Sequence, residues 1–377
     1  MAKYVKQLKY VKRHSFGSAD SPNMIIHGDN NIILDILQER LKEKIKCIYI
    51  DPPYNNGEQY IHYKDIKTHE DWLREMTNIM HKLKYFLQED GTLWISIDES
   101  EMHYLKVAAD KVFGRQNFIT TIIWQQRTSR ENRKLFSNNH EYILVYARNP
   151  KKFKVTRNML PPTKSISSRY KNPDSNPRGP WQSISANVQA GHAVKSQFYT
   201  LIAPNGKRHF PPKGRCWVYN KSRMNNEIKA NNVWFGYDGN GVPRIKKFLS
   251  TSKIGITPET IWLGNDVGTT KMAKKHLLKL FPDNEVFDTP KPETLIKRIL
   301  DISTNEGDMV MDVYLGSGTT AAVAHKMKRN YVGVEIGNHV IDYVVARMKK
   351  VVCGEPDGIS NDVGWSGGGT VGFYQLK

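Results

Sequence analysis

The sequence predicts an α/β fold with a doubly wound, largely parallel sheet and a second region inserted into it. Short apolar runs alternate with helical patterns near both ends of the chain, which is typical of strand–helix–strand units. Between them, residues 149–253 lose the helical periodicity and become rich in proline, glycine and aromatic residues. We therefore divide the chain into residues 1–148, 149–253 and 254–377.

The two outer regions supply the predicted strands and helices of the sheet. In the first, we expect strands at 24–27, 47–50, 92–97, 119–124 and 142–146, and helices at 32–42, 72–87 and 100–113. Asp90-Gly91 indicates a turn before the strand at 92–97. In the last, we expect helices at 271–280, 293–304 and 343–352, and a glycine-rich tail that forms an antiparallel edge hairpin or a loop.

A loop of unusual composition follows the first central strand. Asp51-Pro52-Pro53-Tyr54 comes directly after the apolar run 45–50, at the carboxyl end of a strand, where open α/β sheets bind ligands. The loop offers a carboxylate, a backbone carbonyl and an aromatic face. An exocyclic amine on a flat base needs these three groups. The alternative is a Pro-Pro turn with an incidental acid and an incidental tyrosine.

A second motif lies far downstream. The run from Asp308 reads as a strand to Val313, a Gly316-Ser317-Gly318 turn, a helix from about Thr319 and a strand that ends at Glu335. Glycines let a ligand approach the backbone at a helix start, and an acid about 20 residues later can bind ribose hydroxyls. The third glycine of the dinucleotide motif is missing, so a plain tight turn and a solvated Glu335 remain alternatives.

These motifs resemble those of a known family, the amino-group DNA methyltransferases that use S-adenosylmethionine. DPPY resembles the catalytic motif and DVYLGSGTT the cofactor motif, in the order of the beta class. FDTPKP at 287–292 and His27-Gly28-Asp29 resemble further motifs, and GWSGGG at 364–369 resembles the tail of type III modification subunits. The resemblance implies a Rossmann-like methyltransferase sheet, circularly permuted, with an inserted target recognition domain at 149–253 between a catalytic half and a cofactor-binding half.

The resemblance also implies the roles of individual residues. Catalysis falls to Asp51, Pro52, Pro53 and Tyr54, with Asp51 and the Pro52 carbonyl accepting the amine protons and Tyr54 stacking on the base. The implied S-adenosylmethionine site comprises Asp29, Asp51, Lys291, Pro292, Asp312, Leu315, Gly316, Ser317, Gly318, Thr319, Thr320 and Glu335. Glu335 would bind the ribose, and Asp29 the adenine amino group unless it only caps a helix. Lys291 would pair with the cofactor carboxylate, or be a solvated turn lysine.

Charge supports a polyanionic partner. The chain has 56 lysines and arginines against 37 acids, a formal net charge of +19. The polar, basic stretch 125–140 has no helical periodicity and is expected to face DNA, with contacts from Trp124, Arg127, Arg130, Arg133 and Lys134; an ordinary solvated loop is the alternative. Charge alone would fit ribosome or membrane-surface binding equally well.

Cysteine spacing and the lengths of apolar runs restrict the class of protein. Cys47, Cys216 and Cys353 are too scattered for a disulfide framework or a zinc site, so we expect no metal. No apolar run reaches membrane-spanning length, and the start of the chain lacks the apolar segment of a signal peptide. We therefore expect a cytoplasmic protein of a prokaryotic cell, with nucleoid DNA as its substrate and no membrane partner.

The predicted activity is methyl transfer to the N6 amino group of a flipped adenine in double-stranded DNA, within a restriction-modification system. The alternatives are N4-cytosine methylation, methylation of an RNA or protein amine, and a catalytically silent, sequence-specific DNA-binding subunit. Cytosine members of the family more often carry serine at the first motif position, where this chain has Asp51. A homodimer and a restriction subunit are left open as partners. Because type III subunits usually carry a larger recognition insert than this 377-residue chain can hold, a solitary methyltransferase also stays open.

Overall fold

The computed structural model describes residues 7–18, 20–57, 66–132, 135–162, 168–251, 255–282 and 287–377. The chain divides into two compact units. The first unit comprises Met1–Asn158 and Pro258–Lys377, and the second unit comprises Met159–Thr257. The outer regions of the sequence therefore fold together, and the middle region folds as a unit of its own.

The strands of the described residues are these: β1 Leu8–Tyr10, β2 Met24–His27, β3 Ile45–Ile50, β4 Leu87–Ile97, β5 Phe118–Gln125, β6 His140–Ala147, β7 Trp181–Ser185, β8 Asn187–Gln189, β9 Leu201–Ile202, β10 Arg208–His209, β11 Arg215–Trp217, β12 Val233–Trp234, β13 Arg244–Phe248, β14 Ile261–Trp262, β15 Met309–Asp312, β16 Asn330–Glu335 and β17 Gly372–Leu376.

The helices of the described part of the chain are α1 Asn30–Leu41, α2 His69–Phe86, α3 Met102–Phe113, α4 Pro150–Thr156, α5 Lys221–Lys229, α6 Gly264–Val267, α7 Thr270–Leu280, α8 Glu293–Ser303, α9 Thr319–Lys326, α10 Ala346–Val352 and α11 Ser360–Val363. Short 3-10 turns occur at Lys12–His14, Arg115–Asn117, Ala190–His192, Lys195–Gln197 and Asn338–Val340. A π-helical turn, Ile341–Val345, leads directly into α10.

The first unit is built on one sheet. Among the described residues its ten strands follow the order β1-β17-β2-β16-β15-β3-β4-β6-β5-β14. The central strands are parallel, and β15 pairs with β3 although some 260 residues separate them in the chain. The prediction that the two motif strands lie side by side is therefore confirmed, as is the α/β fold class. Both motif loops emerge at the carboxyl edge of this sheet.

Burial explains why the central strands read as continuous apolar runs. All six residues of β3 are buried, because helices cover parallel strands on both faces. On α2, Trp72, Met76, Ile79 and Leu83 recur at helical spacing and are at most 3% exposed. Burying each such side chain stabilises the fold by roughly 1.5 to 3 kcal/mol. The sheet is thus a rigid base for the two loops.

The predicted turn at Asp90-Gly91 is wrong. Strand β4 begins directly after α2, and its pairing with β3 jumps from Ile45 opposite Leu87 to Cys47 opposite Thr92. The residues between 87 and 92 bulge out of the ladder without ending the strand. Asp90 is held there by an ion pair with Lys46, which local turn propensity could not indicate.

The chain ends also differ from the prediction. Strand β17 is neither an edge hairpin nor a loop: it lies inside the sheet, parallel to β2 and antiparallel to β1. Neither β1 nor β14 was predicted, because three and two residues are too few to show a period. The closing helix starts as the π-helical turn Ile341–Val345 before it becomes regular in α10.

The boundaries of the middle region need correction. The compact second unit covers Met159–Thr257 instead of 149–253. Asn149 caps the start of α4, and α4 packs on β4 and β6 of the first unit with Phe153 buried. The composition changes at Pro150, but the apolar face of α4 still belongs to the first core.

The second unit has short strands and a small core. A three-stranded antiparallel sheet orders β12-β13-β7, and β8 pairs with β11 and β9 with β10 in two further ribbons of the described residues. Its core consists of Ala186, Leu201, Ala203, Trp217, Met224, Val233 and Phe235.

Candidate active site

The Asp51 carboxylate is the centre of a hydrogen-bonded group at the end of β3. The Tyr54 hydroxyl lies 2.7 Å from Asp51 Oδ1 and 2.9 Å from Glu141 Oε2. Lys291 Nζ donates to Asp51 Oδ2 at 2.7 Å and lies 3.5 Å from Glu141 Oε2. A second carboxylate, a phenol and an ammonium group therefore lie around Asp51, the residue predicted to receive the substrate amine.

Lys291 is not the solvated turn lysine of the second expectation, and it lines the first cavity described below. We expected an ion pair with the cofactor carboxylate or a solvated turn lysine. The residue is 7% exposed, and its ammonium group lies on Asp51, 5.2 Å from the Tyr54 ring centroid and 5.8 Å from that of Trp124. Lys291 and Asp51 therefore form a largely buried ion pair at the end of β3.

Glu141 was missed by the sequence analysis. It is the second residue of β6, directly before the apolar part of that strand, and pairs with Trp124 of β5. Burial raises the pKa of its carboxyl group, with Lys291 opposing and the charge of Asp51 adding to the shift. An acid at the start of an apolar strand was the available signal, but its partners come from remote parts of the chain.

The loop that carries Asp51 is fixed by side chains from three directions. Trp72 Nε1 donates to the Pro53 carbonyl at 2.7 Å. Asn55 takes the left-handed conformation, with φ of 56°, and bonds Glu101 Oε1 at 3.0 Å. Asn56 bonds Asp98 Oδ2 at 3.1 Å. Pro53 and Tyr54 are thus held in place before any ligand binds.

A cavity of about 270 Å³ joins the two motif loops. Most of the residues predicted to bind the cofactor line this first cavity: Asp29, Asp51, Lys291, Asp312, Leu315, Gly316, Ser317, Thr319, Thr320 and Glu335. The sequence analysis missed Phe287 and His339 as further lining residues. The described lining contains five carboxylates (Asp29, Asp51, Glu75, Asp312 and Glu335) and two lysines (Lys67 and Lys291), which favours a cationic ligand.

The glycine turn is organised around Glu335. Gly316 has φ of +55°, a left-handed conformation that suits glycine, and its N–H donates to Glu335 Oε2 at 2.7 Å. Gly337 N–H donates to the other oxygen at 2.7 Å. Burial raises the pKa of the Glu335 carboxyl group. The acid is therefore fixed at the cavity wall, with lone pairs left for hydroxyl donors.

Asp312 and Asp29 border the same cavity and are also structural. Thr320 donates its hydroxyl to Asp312 Oδ2 at 2.6 Å, and Tyr314 N–H donates to Oδ1 at 3.0 Å. Burial, with the charges of Asp51 and Glu335, raises the pKa of Asp312 to about 7. Asp29 accepts from Ile32 N–H at 3.3 Å and so caps α1, in agreement with its alternative role.

Gly318 and Pro292, both predicted to bind the cofactor, do not line this cavity. Gly318 has φ of +82°, and a Cβ there would lie 3.2 Å from Val344 on the following helical turn. Its glycine is required by backbone conformation and by helix packing. Pro292 precedes α8 and packs against Gly268. A Cβ atom added to Gly268 would lie only 2.8 Å from the Cβ atom of Pro292.

A buried ionic group supports the turn from behind. Arg347 Nη1 donates to Thr319 Oγ1 at 2.9 Å and to the Ser317 carbonyl at 3.3 Å. Arg347 Nη2 donates to Glu293 Oε1 at 2.8 Å. Lys326 lies 2.9 Å from the same carboxylate. Although burial opposes ionisation, Arg347 and Lys326 lower the pKa of Glu293 to about 2.

One described group of residues, His276, Glu293 and Glu355, has oxygen and nitrogen atoms close enough to hold a metal ion. The Lys326 ammonium group lies 2.9 Å from Glu293 and 3.2 Å from Glu355. It already supplies the positive charge that a cation would bring.

A second, wider cavity of about 740 Å³ meets the first at Asp51, Thr289 and Lys291. Pro52, Tyr54 and Glu141 also line it. A molecule in either cavity would thus lie next to Asp51. Two ligands that exchange a chemical group have to meet at such a shared point.

The residues predicted to bind DNA differ in position. Trp124 is 0% exposed and donates its ring N–H to the Gly268 carbonyl, so it cannot contact DNA. Arg127 lines the second cavity and Arg130 is exposed. Arg133 and Lys134 lie outside the described residues. The same loop presents Leu135 and Phe136, 100% and 85% exposed, which the sequence analysis did not single out.

Several known proteins are similar in sequence to this chain. A family model described as DNA methylase matches residues 45–346. The chain is 29% identical to the "Probable type III restriction-modification enzyme HindVI Mod subunit" of Haemophilus influenzae, over 97% of this chain and 55% of that protein. It is 32% identical to the type III restriction-modification enzyme StyLTI Mod subunit of Salmonella typhimurium, over 80% and 49%, and 27% identical to the type II methyltransferase M.EcaI of Enterobacter cloacae, over 88% and 71%.

The chain spans about half the length of the two Mod subunits. No helix in the described part of the chain is long and apolar enough to cross a membrane. The family model covers both motif strands, the loops that follow them and most of the residues around the two cavities. This chain belongs to the DNA methylase family.

Proposed function

We propose that this protein is a site-specific DNA methyltransferase that methylates the N6 amino group of adenine, with S-adenosylmethionine as methyl donor. The observation that carries the proposal is the meeting of two cavities at Asp51. The first takes the cofactor and the second takes the base. Similarity to type II and type III modification enzymes supports a DNA substrate.

The first cavity fits this cofactor in charge and in donor set. S-adenosylmethionine carries a sulfonium and an ammonium group, and it supplies an activated methyl group when bound. The excess of carboxylates in the lining favours such a cation. Glu335 retains lone pairs for ribose hydroxyls, and the Phe287 ring offers an apolar contact beside Gly316.

The residues of this chain position and activate the amine. The Asp51 carboxylate and the Pro52 carbonyl accept hydrogen bonds from its two N–H groups. These bonds draw the nitrogen lone pair out of conjugation with the ring. Tyr54 supports the base through its ring. Rate acceleration then comes from proximity and from fixed dipoles and charges, because Lys291, Tyr54 and Trp72 hold this loop in place beforehand.

The base must leave the duplex to reach Asp51. Flipping costs a few kcal/mol in lost stacking and pairing. Leu135 and Phe136 fit the role of an apolar wedge that fills the vacated stack, since both are exposed on the loop that also supplies Arg127 to the second cavity. Exposed Arg130 would contact phosphates.

The second unit is proposed to recognise the target sequence. It holds 16 lysines and arginines against three acids, which gives +13 of the total +19. Such a surface grips phosphates, while its aromatic side chains can contact bases. Similarity to Mod subunits supports a restriction subunit as a partner and the cytoplasm as the site of action.

The test is methyl transfer by the purified protein from labelled S-adenosylmethionine to unmethylated DNA, followed by modification-sensitive sequencing. N6-methyladenine at one short motif is the expected result, and N4-methylcytosine would contradict the assigned base. Asp51→Ala should lower the rate at least 100- to 1000-fold, because it removes an acceptor of the reacting amine.

Cofactor binding, measured by calorimetry, should change far less in this variant. Asp301→Ala, which removes a partly exposed ion pair with Lys297 on α8, is the control and should keep full activity. Unchanged turnover in Asp51→Ala would refute the assignment of the site.

A further inference from the structure

The Tyr54 hydroxyl bridges two carboxylates. It lies 2.7 Å from Asp51 Oδ1 and 2.9 Å from Glu141 Oε2, so both separations are hydrogen-bond distances. A phenol has one proton and can donate it to only one of these oxygens at a time. The other contact is favourable only when a carboxyl proton is donated to the phenol oxygen. Asp51, Tyr54 and Glu141 therefore form a chain along which a proton can move.

Charge decides at which end of this chain a proton rests. Lys291 Nζ lies 2.7 Å from Asp51 but 3.5 Å from Glu141, so its positive charge opposes a proton at the Glu141 end of the chain less strongly than at the Asp51 end. Glu141 is also the less exposed side chain, 14% against 22%, and its pKa is raised by burial. Among the described residues, Tyr54 and Lys291 contact Glu141, and the charge of Asp51 also acts on it. Tyr49 of β3 lies near enough to interact. A proton on the chain thus prefers Glu141.

The proposed reaction releases one proton. As the bond between nitrogen and the methyl carbon forms, the bond between that carbon and the sulfonium sulfur breaks, and the sulfur keeps the electron pair. The nitrogen then carries a positive charge and one hydrogen too many. Because a protonated ring-conjugated amine is a strong acid, this proton has to leave as the new bond forms.

We propose that Glu141 receives this proton through Tyr54. The amine gives its proton to Asp51, Asp51 passes it to the phenol oxygen, and Tyr54 gives its own hydroxyl proton to Glu141 Oε2. One proton moves from the nitrogen to Glu141, no electrons are transferred, and Asp51 returns to its ionised form beside Lys291. Glu141 lines the second cavity but receives the proton through Tyr54, so it is a proton-accepting residue that acts through another side chain. The inference rests on the proposed function.

Glu141→Gln tests the proposal, since glutamine keeps the size and a hydrogen-bond acceptor but cannot take up the proton. In wild type, single-turnover methyl transfer should rise with pH as Glu141 ionises, with a midpoint above the usual 4.5 of a glutamic acid. In Glu141→Gln the rate at neutral pH should fall about 100-fold, and this pH dependence should disappear. Cofactor affinity should stay unchanged, because Glu141 does not line the first cavity.

Tyr54→Phe supplies the second variant, because it keeps the ring and removes only the hydroxyl that links the two carboxylates. It should lose the same limb of the pH profile. Residues that act on one path give non-additive effects, so the double variant should be within about twofold of Tyr54→Phe alone. If the rate loss in the double variant equals the product of the two single losses, Tyr54 and Glu141 do not act on one path.

The chain offers a matched control. Asp110 accepts from Tyr146 at 2.8 Å and from Lys106 at 2.7 Å, which is the same trio of groups outside both cavities. Asp110→Asn should lower stability and leave the rate and its pH profile unchanged.

A wild-type rate and profile in Glu141→Gln would overturn the proposal, and so would a slower rate with an unchanged profile, which would mark a structural role. Absence of methyl transfer in wild type would instead refute the proposed function.

Discussion

The two units of this molecule differ most in how they carry charge. The second unit has 16 basic residues against three acids, whereas the first has the remaining 40 against 34, a net charge of only +6. The first unit has a ten-stranded sheet, and the second has sheets of two and three strands among its described residues. A near-neutral unit with an extensive buried core suits chemistry that depends on fixed charges. A cationic unit with a small core suits the binding of phosphates.

The same contrast holds for individual ions. In the first unit several buried charges occur in compensated groups, such as Glu293 with Lys326 and Arg347. In the second unit most lysines and arginines lie at the surface, and Lys246, paired with Asp174 and near two tryptophan rings, is a buried exception. Charge in the first unit therefore contributes to shape and reactivity, and charge in the second contributes to binding.

The largest expected effect would sharpen this contrast through salt. If the second unit neutralises some 6 to 10 phosphates, DNA affinity should fall about a thousandfold or more between 50 and 200 mM salt. Replacing three exposed lysines of that unit, Lys195, Lys207 and Lys213, by glutamine should reduce the slope of log affinity against log salt by up to about three. Binding titrations at several salt concentrations measure both quantities.

The matched control is the same replacement at Lys44, Lys111 and Lys328, which are exposed in the first unit. This variant should keep most of the wild-type slope. Equal losses in the two variants would break the contrast, because DNA would then be held as much by the near-neutral unit.

The next effect concerns the buried charges of the first unit. Glu293→Gln leaves Lys326 and Arg347 without their shared counter-charge, so unfolding free energy should fall by about 3 to 5 kcal/mol in denaturant titrations. Because the folded pKa of Glu293 is about 2, below its ordinary 4.5, the stabilisation is complete above pH 4.5 and is lost as pH falls toward 2.

Asp301→Asn, which removes a partly exposed pair with Lys297 on the same helix, should cost less than about 0.5 kcal/mol. Similar losses for the two substitutions would mean that burial of the Glu293 group does not matter.

The smallest effect concerns Asp312. Burial raises its folded pKa to about 7 from an ordinary 3.8, so its ionisation destabilises the fold as pH rises from about 4 to 7. A cationic cofactor favours the ionised form, and S-adenosylmethionine affinity should therefore rise by up to about tenfold between pH 6 and 8. In Asp312→Asn calorimetry should find affinity independent of pH over this range, and the melting temperature should exceed that of wild type at pH 8. A pH-dependent affinity retained in this variant would move the effect to another group.

The sequence was sufficient for the fold and for most of the first cavity because both depend on local patterns. Asp51, Gly316 and Glu335 occupy the ends of strands that periodicity identifies, and strand ends meet at one edge of a parallel sheet. Glu141 and Lys291 could not be placed, since their contacts join residues 90 to 240 positions from Asp51. Trp124 was misjudged for a related reason, because nothing local distinguishes the buried from the exposed face of β5.

The pairing of β3 with β15 also sets a time order for synthesis of the chain. When a ribosome has made the first 158 residues, β3 can find β4, but its other neighbour, Met309–Asp312, does not yet exist. Contacts of such long sequence separation form late and slow the folding of the whole sheet. Until then the apolar edge of β3 is exposed to aggregation and to chaperones. A nascent chain therefore cannot complete the first cavity until Asp312, Glu335 and His339 have emerged.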